Sequence, residues 1–274
     1  MATVAKSINT ALNSKNTQVT IAYSDQIARS FEQGRKDPDP VRVEHIARLI
    51  NSHTSSVKNG KLLDLGCGTG FFTIPLAERL NFNFTGVDRS LEMLEVARTK
   101  KEQTKTIEWL EQDATALSFA NESFDVVFMS NLLHHFNNPL DVIEQCVRVL
   151  KPGGLLINHY GALEDIINDP DHKFFNEAIE FDVRRVPARI QMEYLFKTAL
   201  LDKVQSEKKT FKLCNSSQER IKLVENKYVS VLHMVSEISY QRGLKEMKKY
   251  AATNQFDPWL RELTVTTTFG VKSR

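Results

Sequence analysis

The chain has 274 residues, of which 41% are hydrophobic and 26% charged, with a formal net charge of +2. That balance excludes a fibre, a disulfide scaffold and a disordered tail, and the dispersed lysines and arginines lack the concentrated positive field of a nucleic-acid binder. No apolar run reaches the roughly 20 residues that cross a bilayer, so no membrane span is expected.

The first two dozen residues contain Lys6 and Lys15, no acid and several Ser, Thr and Asn. Without arginine or an amphipathic pattern they read as a frayed terminus rather than a targeting segment. From residue 61 onward, β-like runs alternate with helix-like runs, the order that builds a parallel sheet covered by helices on both faces. Strands are expected at 61–65, 83–87, 107–111, 124–130 and 155–160, with helices at 71–80 and 90–99. Ser90 is placed to cap the second helix. A third helix has Asn138 as its cap and Pro139 in its first turn. Leu140, Ile143, Val147 and Leu150 keep helical spacing along it until Lys151-Pro152-Gly153-Gly154 stops it.

Beyond Tyr160 the pattern turns to aromatic-rich helices at 173–183 and 188–201, then a strand at 203–213. One long helix is expected to carry Ile221, Val224, Tyr228, Val231, Val235 and Ile238 as a single apolar stripe. A Thr-rich stretch at 262–271 reads as a final, antiparallel strand. The division expected is an N-terminal helical cap (1–60), a central core (61–161), and a helical insert with closing strands of the same domain (162–274). Cys67, Cys146 and Cys214 form no CxxC pair and leave an odd count, which fits a reducing compartment and makes the cytoplasm the expected location.

The strongest local signal is Leu62-Leu63-Asp64-Leu65-Gly66-Cys67-Gly68-Thr69-Gly70, an apolar strand that enters glycines at alternate positions. Residues without a Cβ let a ligand approach the main chain at the carboxyl edge of a parallel sheet. Dinucleotide enzymes use the same device, but with G-x-G-x-x-G and a pyrophosphate at the helix start. Here the spacing is G-x-G-x-G, and Asp64 stands two residues before the first glycine, where a carboxylate favours a cationic ligand and repels a pyrophosphate. The next strand ends in Val87-Asp88, at the distance where such folds set an acid against ribose hydroxyls, and the third ends in Gln112-Asp113-Ala114. Each acid alone would be an ordinary turn residue or cap; three at successive strand ends form a set.

With these residues go Thr85-Gly86-Val87-Asp88, Phe124-Asp125-Val126-Val127, Leu133-His134-His135-Phe136 and Val149-Leu150-Lys151-Pro152-Gly153-Gly154. The ordered series, over about residues 61–160, resembles the class I, Rossmann-like methyltransferases that use S-adenosylmethionine (SAM), and within them the small-molecule branch near the quinone and sterol methyltransferases. The resemblance implies an α/β three-layer sandwich around a seven-stranded, mostly parallel sheet with its last strand antiparallel. It also implies that Asp64, Gly66, Cys67, Gly68 and Gly70 hold the amino-acid end of SAM and Asp88 its ribose. Asp113 with Ala114 would hold the adenine, flanked by Arg89 and Met93, and Asn131 would lie between cofactor and acceptor. SAM carries an ammonium and a sulfonium but no phosphate, in keeping with Asp64. Cys67 is read as packing, not as a nucleophile, and no metal site is read.

Methyl transfer is an in-line displacement at carbon, so alignment in a dry pocket can supply much of the rate, about 7 to 11 kcal/mol. A base is needed only where the acceptor must lose a proton, and histidine is the usual choice. His135 and His134, just past the fourth strand, are the candidates, His135 first; the competing reading is a structural hydrogen bond. His159 is a weaker third. The acceptor pocket is expected from Tyr23, Phe31 and Arg35 of the cap and from Phe174, Phe175, Phe181, Tyr194 and Phe196 of the insert, which points to a small acceptor of apolar or aromatic character. Rival readings are a SAM-binding protein without methyl transfer, a nicotinamide-dependent oxidoreductase, and an arsenite methyltransferase, the last disfavoured by the scattered cysteines. Oligomeric state, and transfer to oxygen, nitrogen or carbon, are not written in these motifs.

Overall fold

A computed structural model describes residues 38–100 and 106–273. Tyr23, Phe31 and Arg35 lie outside the described residues. Asp39 caps the first described helix, α1 (Pro40–His53), by accepting from the Val41 N–H, and Pro40 occupies the first turn, where its missing donor costs nothing. The alternating core follows as β1 (Gly60–Leu65), α2 (Thr73–Arg79), β2 (Phe82–Asp88), α3 (Leu91–Thr99), β3 (Ile107–Glu111), β4 (Phe124–Ser130), α4 (Pro139–Val149) and β5 (Leu150–Tyr160). Ser90 does cap α3, accepting from Met93 N–H at 3.2 Å. Asn138 stands at the start of α4, but its side chain donates to Asp141 instead of accepting from the helix backbone.

The insert contributes α5 (Leu163–Ile166), α6 (Pro170–Lys173), α7 (Asn176–Arg185) and α8 (Arg189–Thr198) before β6 (Leu201–Lys212). After it come α9 (Ser217–Glu225), α10 (Glu237–Thr253), α11 (Pro258–Arg261) and the closing strand β7 (Glu262–Lys272). The sheet has seven strands in the order β3-β2-β1-β4-β5-β7-β6. The β1 to β5 pairings are parallel, and β7 runs antiparallel to both of its neighbours, as expected of the closing strand.

Because side chains alternate across a strand, Leu62, Phe84, Val126 and Ile157 pack under α1, α2 and α3, while Leu63, Leu65, Val127 and Leu156 pack under α4 and α8 on the other face. A third cluster belongs to the insert and gathers Phe175, Val224, Tyr228, Leu232, Tyr240 and Met247. The single long helix expected there is not formed. Lys227 has a φ of +46°, which a right-handed helix cannot contain, so α9 stops at Glu225 and a 3-10 turn (Ser230–His233) intervenes before α10. Val224, Tyr228, Val231 and Val235 are buried all the same, whereas Ile238 is 85% exposed.

Candidate functional site

In an open parallel sheet, ligands bind beyond the carboxyl ends of the strands where the strand order reverses, here between β1 and β4. The glycine turn leaves β1 at that point. Gly66 and Cys67 both donate to the Val87 carbonyl, at 2.7 and 3.0 Å, and lock the turn to the end of β2. Gly68 has a φ of +53°, and a Cβ added to it would meet nothing within 4 Å, so bare backbone faces open space. Gly70 serves packing instead. A Cβ there would stand 2.9 Å from the Trp109 ring, and the residue does not line the cavity.

That cavity measures about 880 Å³ and extends from the glycine turn to the insert. Asp64, Gly66, Cys67, Gly68, Asp88, Arg89, Met93, Asp113 and Asn131 all line it. Asp88 accepts from the Gly68 N–H at 2.8 Å through one carboxylate oxygen and from the Ser90 N–H at 3.0 Å through the other. Burial raises its pKa, against the pull of these N–H groups. The Arg89 N–H also acts on this carboxylate, whose two oxygens together retain acceptor capacity for a ligand hydroxyl. Asp64 is 2% exposed and accepts from the Thr73 hydroxyl. Burial pushes its carboxyl up to about 7, and the Asp88 charge adds to the rise.

Asp113 is exposed, and its carboxylate accepts from the Thr115 N–H and hydroxyl at 2.8 and 2.7 Å, which lower its pKa. Ala114 is buried in the core under α4 and is not among the lining residues. Burial drives the Cys67 thiol far above its ordinary range, so it carries no thiolate. Asn131 leaves β4 with a φ of +50°, its N–H bonded to the His159 carbonyl. These residues fit the group that the sequence resemblance implies. The turn has room for close approach, Asp88 can accept from ribose hydroxyls, and an ammonium would complete the buried Asp64.

His134 and His135 line the cavity, their ring centroids 4.0 Å apart. Burial lowers His135 to about 4, with Arg185 and Arg89 pushing the same way and Asp182 opposing, so its imidazole is neutral near pH 7. His159 does not reach the cavity. It is fully buried, with Arg42 Nε donating to its Nε2 at 2.7 Å and its Nδ1 2.8 Å from the Thr267 hydroxyl.

The aromatic residues expected around the acceptor are elsewhere. Phe174, Phe175 and Phe181 belong to the core of the insert, Phe196 points from α8 into the core on the α4 face of the sheet, and Tyr194 is 66% exposed. The apolar wall comes instead from Phe72, Phe211, Leu213, Leu223, Val231 and Val265. Asp169, Asp171, His172, Asp182 and Arg185, which the sequence analysis did not single out, also line the cavity. Arg220, fully buried, binds Asp169 and Asp171, and Tyr228 donates its hydroxyl to Asp171. His172 Nε2 lies 2.8 Å from Asp182 Oδ2, and Arg185 Nε donates to Asp182 Oδ1 at 2.6 Å. Arg42 also lines the cavity, its guanidinium 4.8 Å above the Phe72 ring. None of these carries a motif, because partners as distant as Arg42 and His159 meet only through the fold.

Residues 63–158 match the family described as a methyltransferase domain. A ubiquinone biosynthesis O-methyltransferase of Roseobacter denitrificans is 33% identical over 133 residues, 48% of this chain and 47% of that protein. A demethylmenaquinone methyltransferase of Lactococcus lactis is 42% identical over 100 residues, 35% of this chain and 40% of that protein. The chain thus spans less than half the length of these curated relatives. Among solved structures, the phosphoethanolamine N-methyltransferase 2 of Haemonchus contortus, in complex with phosphomonomethylethanolamine and S-adenosylhomocysteine, superposes with a TM-score of 0.61 at 20% identity, over 92% of this chain and 58% of that one. This likeness concerns the fold, which extends through the insert and closing strands beyond the methyltransferase segment.

Proposed function

We propose that the protein binds SAM and transfers its methyl group to a small molecule by in-line displacement. The observation that carries this reading is the methyltransferase segment ending in one cavity, with Gly68 bare, Asp88 bonded to Gly68, and Asp64 buried and awaiting a cation. In this reading the Gly66 to Gly70 turn and Asp64 take the amino-acid end, Asp88 the ribose, and Asp113 with the backbone at Ala114 the adenine. Arg89 and Met93 flank the adenine, and Asn131 separates cofactor from acceptor. SAM supplies an electrophilic methyl group; the protein's own residues bind, orient and exclude water.

A neutral His135, with His134 beside it, serves as a hydrogen-bonding contact on the acceptor side. The names of the relatives, O-methyltransferases among them, favour oxygen as the methylated atom. The apolar wall favours an acceptor with an apolar or aromatic body. The cap, core and insert divide the work: the core holds SAM, while α1 and the insert close the acceptor side. No helix among the described residues is long and apolar enough to cross a membrane. The three buried cysteines are free thiols, and we place the protein in the cytoplasm.

Calorimetric titration of the full chain with SAM and S-adenosylhomocysteine, with NADH as competitor and Asp88→Ala as control, tests the reading. Micromolar binding of both adenosyl compounds, weakened in the variant and untouched by NADH, is expected. Binding of NADH in their place would restore the oxidoreductase alternative.

A further inference from the structure

The cavity holds two histidine systems, and they differ in kind. His135 is a weak base, lowered to about 4 by burial and by Arg185 and Arg89. His172 lines the same cavity from α6 and is 5% exposed, with Nε2 held by Asp182 at 2.8 Å. Its Nδ1 is buried and has no hydrogen-bond partner among the described residues. An orphaned buried nitrogen costs about 1 to 3 kcal/mol, and in a residue that lines the cavity it calls for a partner. Asp182 is itself oriented by Arg185 from one turn further along α7. The carboxylate fixes the proton on Nε2, which leaves the Nδ1 lone pair as the acceptor.

Second, α6 is pinned where it is. Arg220 on α9 binds Asp169 and Asp171, the residues that flank Pro170 at the start of α6, and Tyr228 bonds Asp171 from the other side. The charged groups facing His172 are therefore Asp169 and Asp171 on its own segment, Asp182 and Arg185 on α7, and Arg220 on α9. Their formal charges sum to −1. Asp182, Arg185 and Arg89 also act on His135, and all of them line the same cavity as His172.

We propose that His172, oriented by Asp182, is the proton acceptor for a hydroxyl-bearing methyl acceptor, with Asp182, Arg185 and Arg220 as positioning residues. The proposal rests on the methyltransferase reading and deepens it. As the hydroxyl oxygen bonds to the methyl carbon, its proton moves to Nδ1 of His172. The carbon–sulfur bond breaks with its electron pair kept by sulfur. The imidazolium, stabilised by Asp182, later releases the proton to water.

The test uses the full chain saturated with S-adenosylhomocysteine, and 4-nitrocatechol as a chromogenic hydroxyl probe. Absorbance reads the pH at which the bound probe ionises, and nitrogen NMR reads the His172 tautomer. Expected are a bound probe about tenfold more acidic than free probe, one pKa unit, and a free-protein His172 carrying its proton on Nε2. His172→Gln should abolish the acidity shift and Asp182→Asn should reduce it, while both variants still bind S-adenosylhomocysteine and so are folded. Retention of the shift in His172→Gln, a proton resting on Nδ1, or failure of the probe to bind a protein that does bind S-adenosylhomocysteine would each overturn the proposal. Failure to bind S-adenosylhomocysteine at all would overturn the methyltransferase reading beneath it.

Discussion

Asp88 and Gly68 are joined by a 2.8 Å hydrogen bond from the glycine N–H to the aspartate carboxylate, so the acid at the end of β2 also shapes the turn at the end of β1. One side chain thereby does two jobs, bonding the glycine turn and lining the cavity. Replacing it by alanine removes charge-assisted bonds worth about 1.5 to 3 kcal/mol each. Asp88→Ala should weaken SAM binding by about 2 to 4 kcal/mol, roughly thirty- to a thousand-fold, as read by calorimetry.

Gly68→Ala separates folding from binding. The new Cβ meets no neighbour, so the cost to the fold is the left-handed backbone alone, about 1 to 2 kcal/mol. The same Cβ projects into the space the ligand needs. A thermal melt should shift by a few degrees while SAM affinity falls by at least an order of magnitude. Affinity close to that of the original protein would show that the ligand does not approach this backbone.

Asp64 should make SAM binding depend on pH near neutrality. With its carboxyl raised to about 7 by burial, it is mostly protonated below that pH and must lose a proton to pair with an ammonium. Affinity should therefore fall as pH drops from 8 to 6, and calorimetry at pH 6 in buffers of different ionisation enthalpy should register proton release. Asp64→Asn should abolish both effects.

Arg220 tests the wall of the insert. It is fully buried between Asp169 and Asp171, and Asp169 is already raised to about 6 by burial despite the arginine. Arg220→Met leaves two carboxyls without their cation, a loss of about 3 to 5 kcal/mol. Denaturant unfolding should record it. The loss should be smaller at low pH, where protonation discharges Asp169.

His135 should titrate far from neutrality. Burial and two arginines hold it near 4, so histidine NMR should find its midpoint well below that of a free imidazole. Nothing in a rate profile between pH 6 and 8 should then trace to His135.

The α/β core was legible in the sequence because its signals are local. A strand, a turn and a helix share one short stretch at Leu62 to Gly70, and the period-2 and 3.6-residue patterns report which faces are buried on both sides of the sheet. The acids at the ends of β1, β2 and β3 follow from the same arithmetic, since parallel strands aligned in register deliver their last residues to one edge. The long helix failed for an equally local reason. Apolar spacing persisted from Ile221 to Val235 across a break at Lys227, because irregular chain can bury the same stripe by turning.

The sheet, the turn and the acids at its edge were thus readable from residue order, because contacts between near neighbours and the regular geometry of parallel strands set them all. Tertiary structure alone decided the acceptor side. Phe174 and Phe175 have the composition of a pocket but face their own core, and the cavity wall goes to Phe211 of β6, Leu213 just beyond it and Val265 of β7. His172, Asp182 and Arg220 look like ordinary charges on short helices until folding strips them of water. Once buried, each must find a partner, and the energy of that pairing, invisible in any spacing, fixes where the charged wall stands.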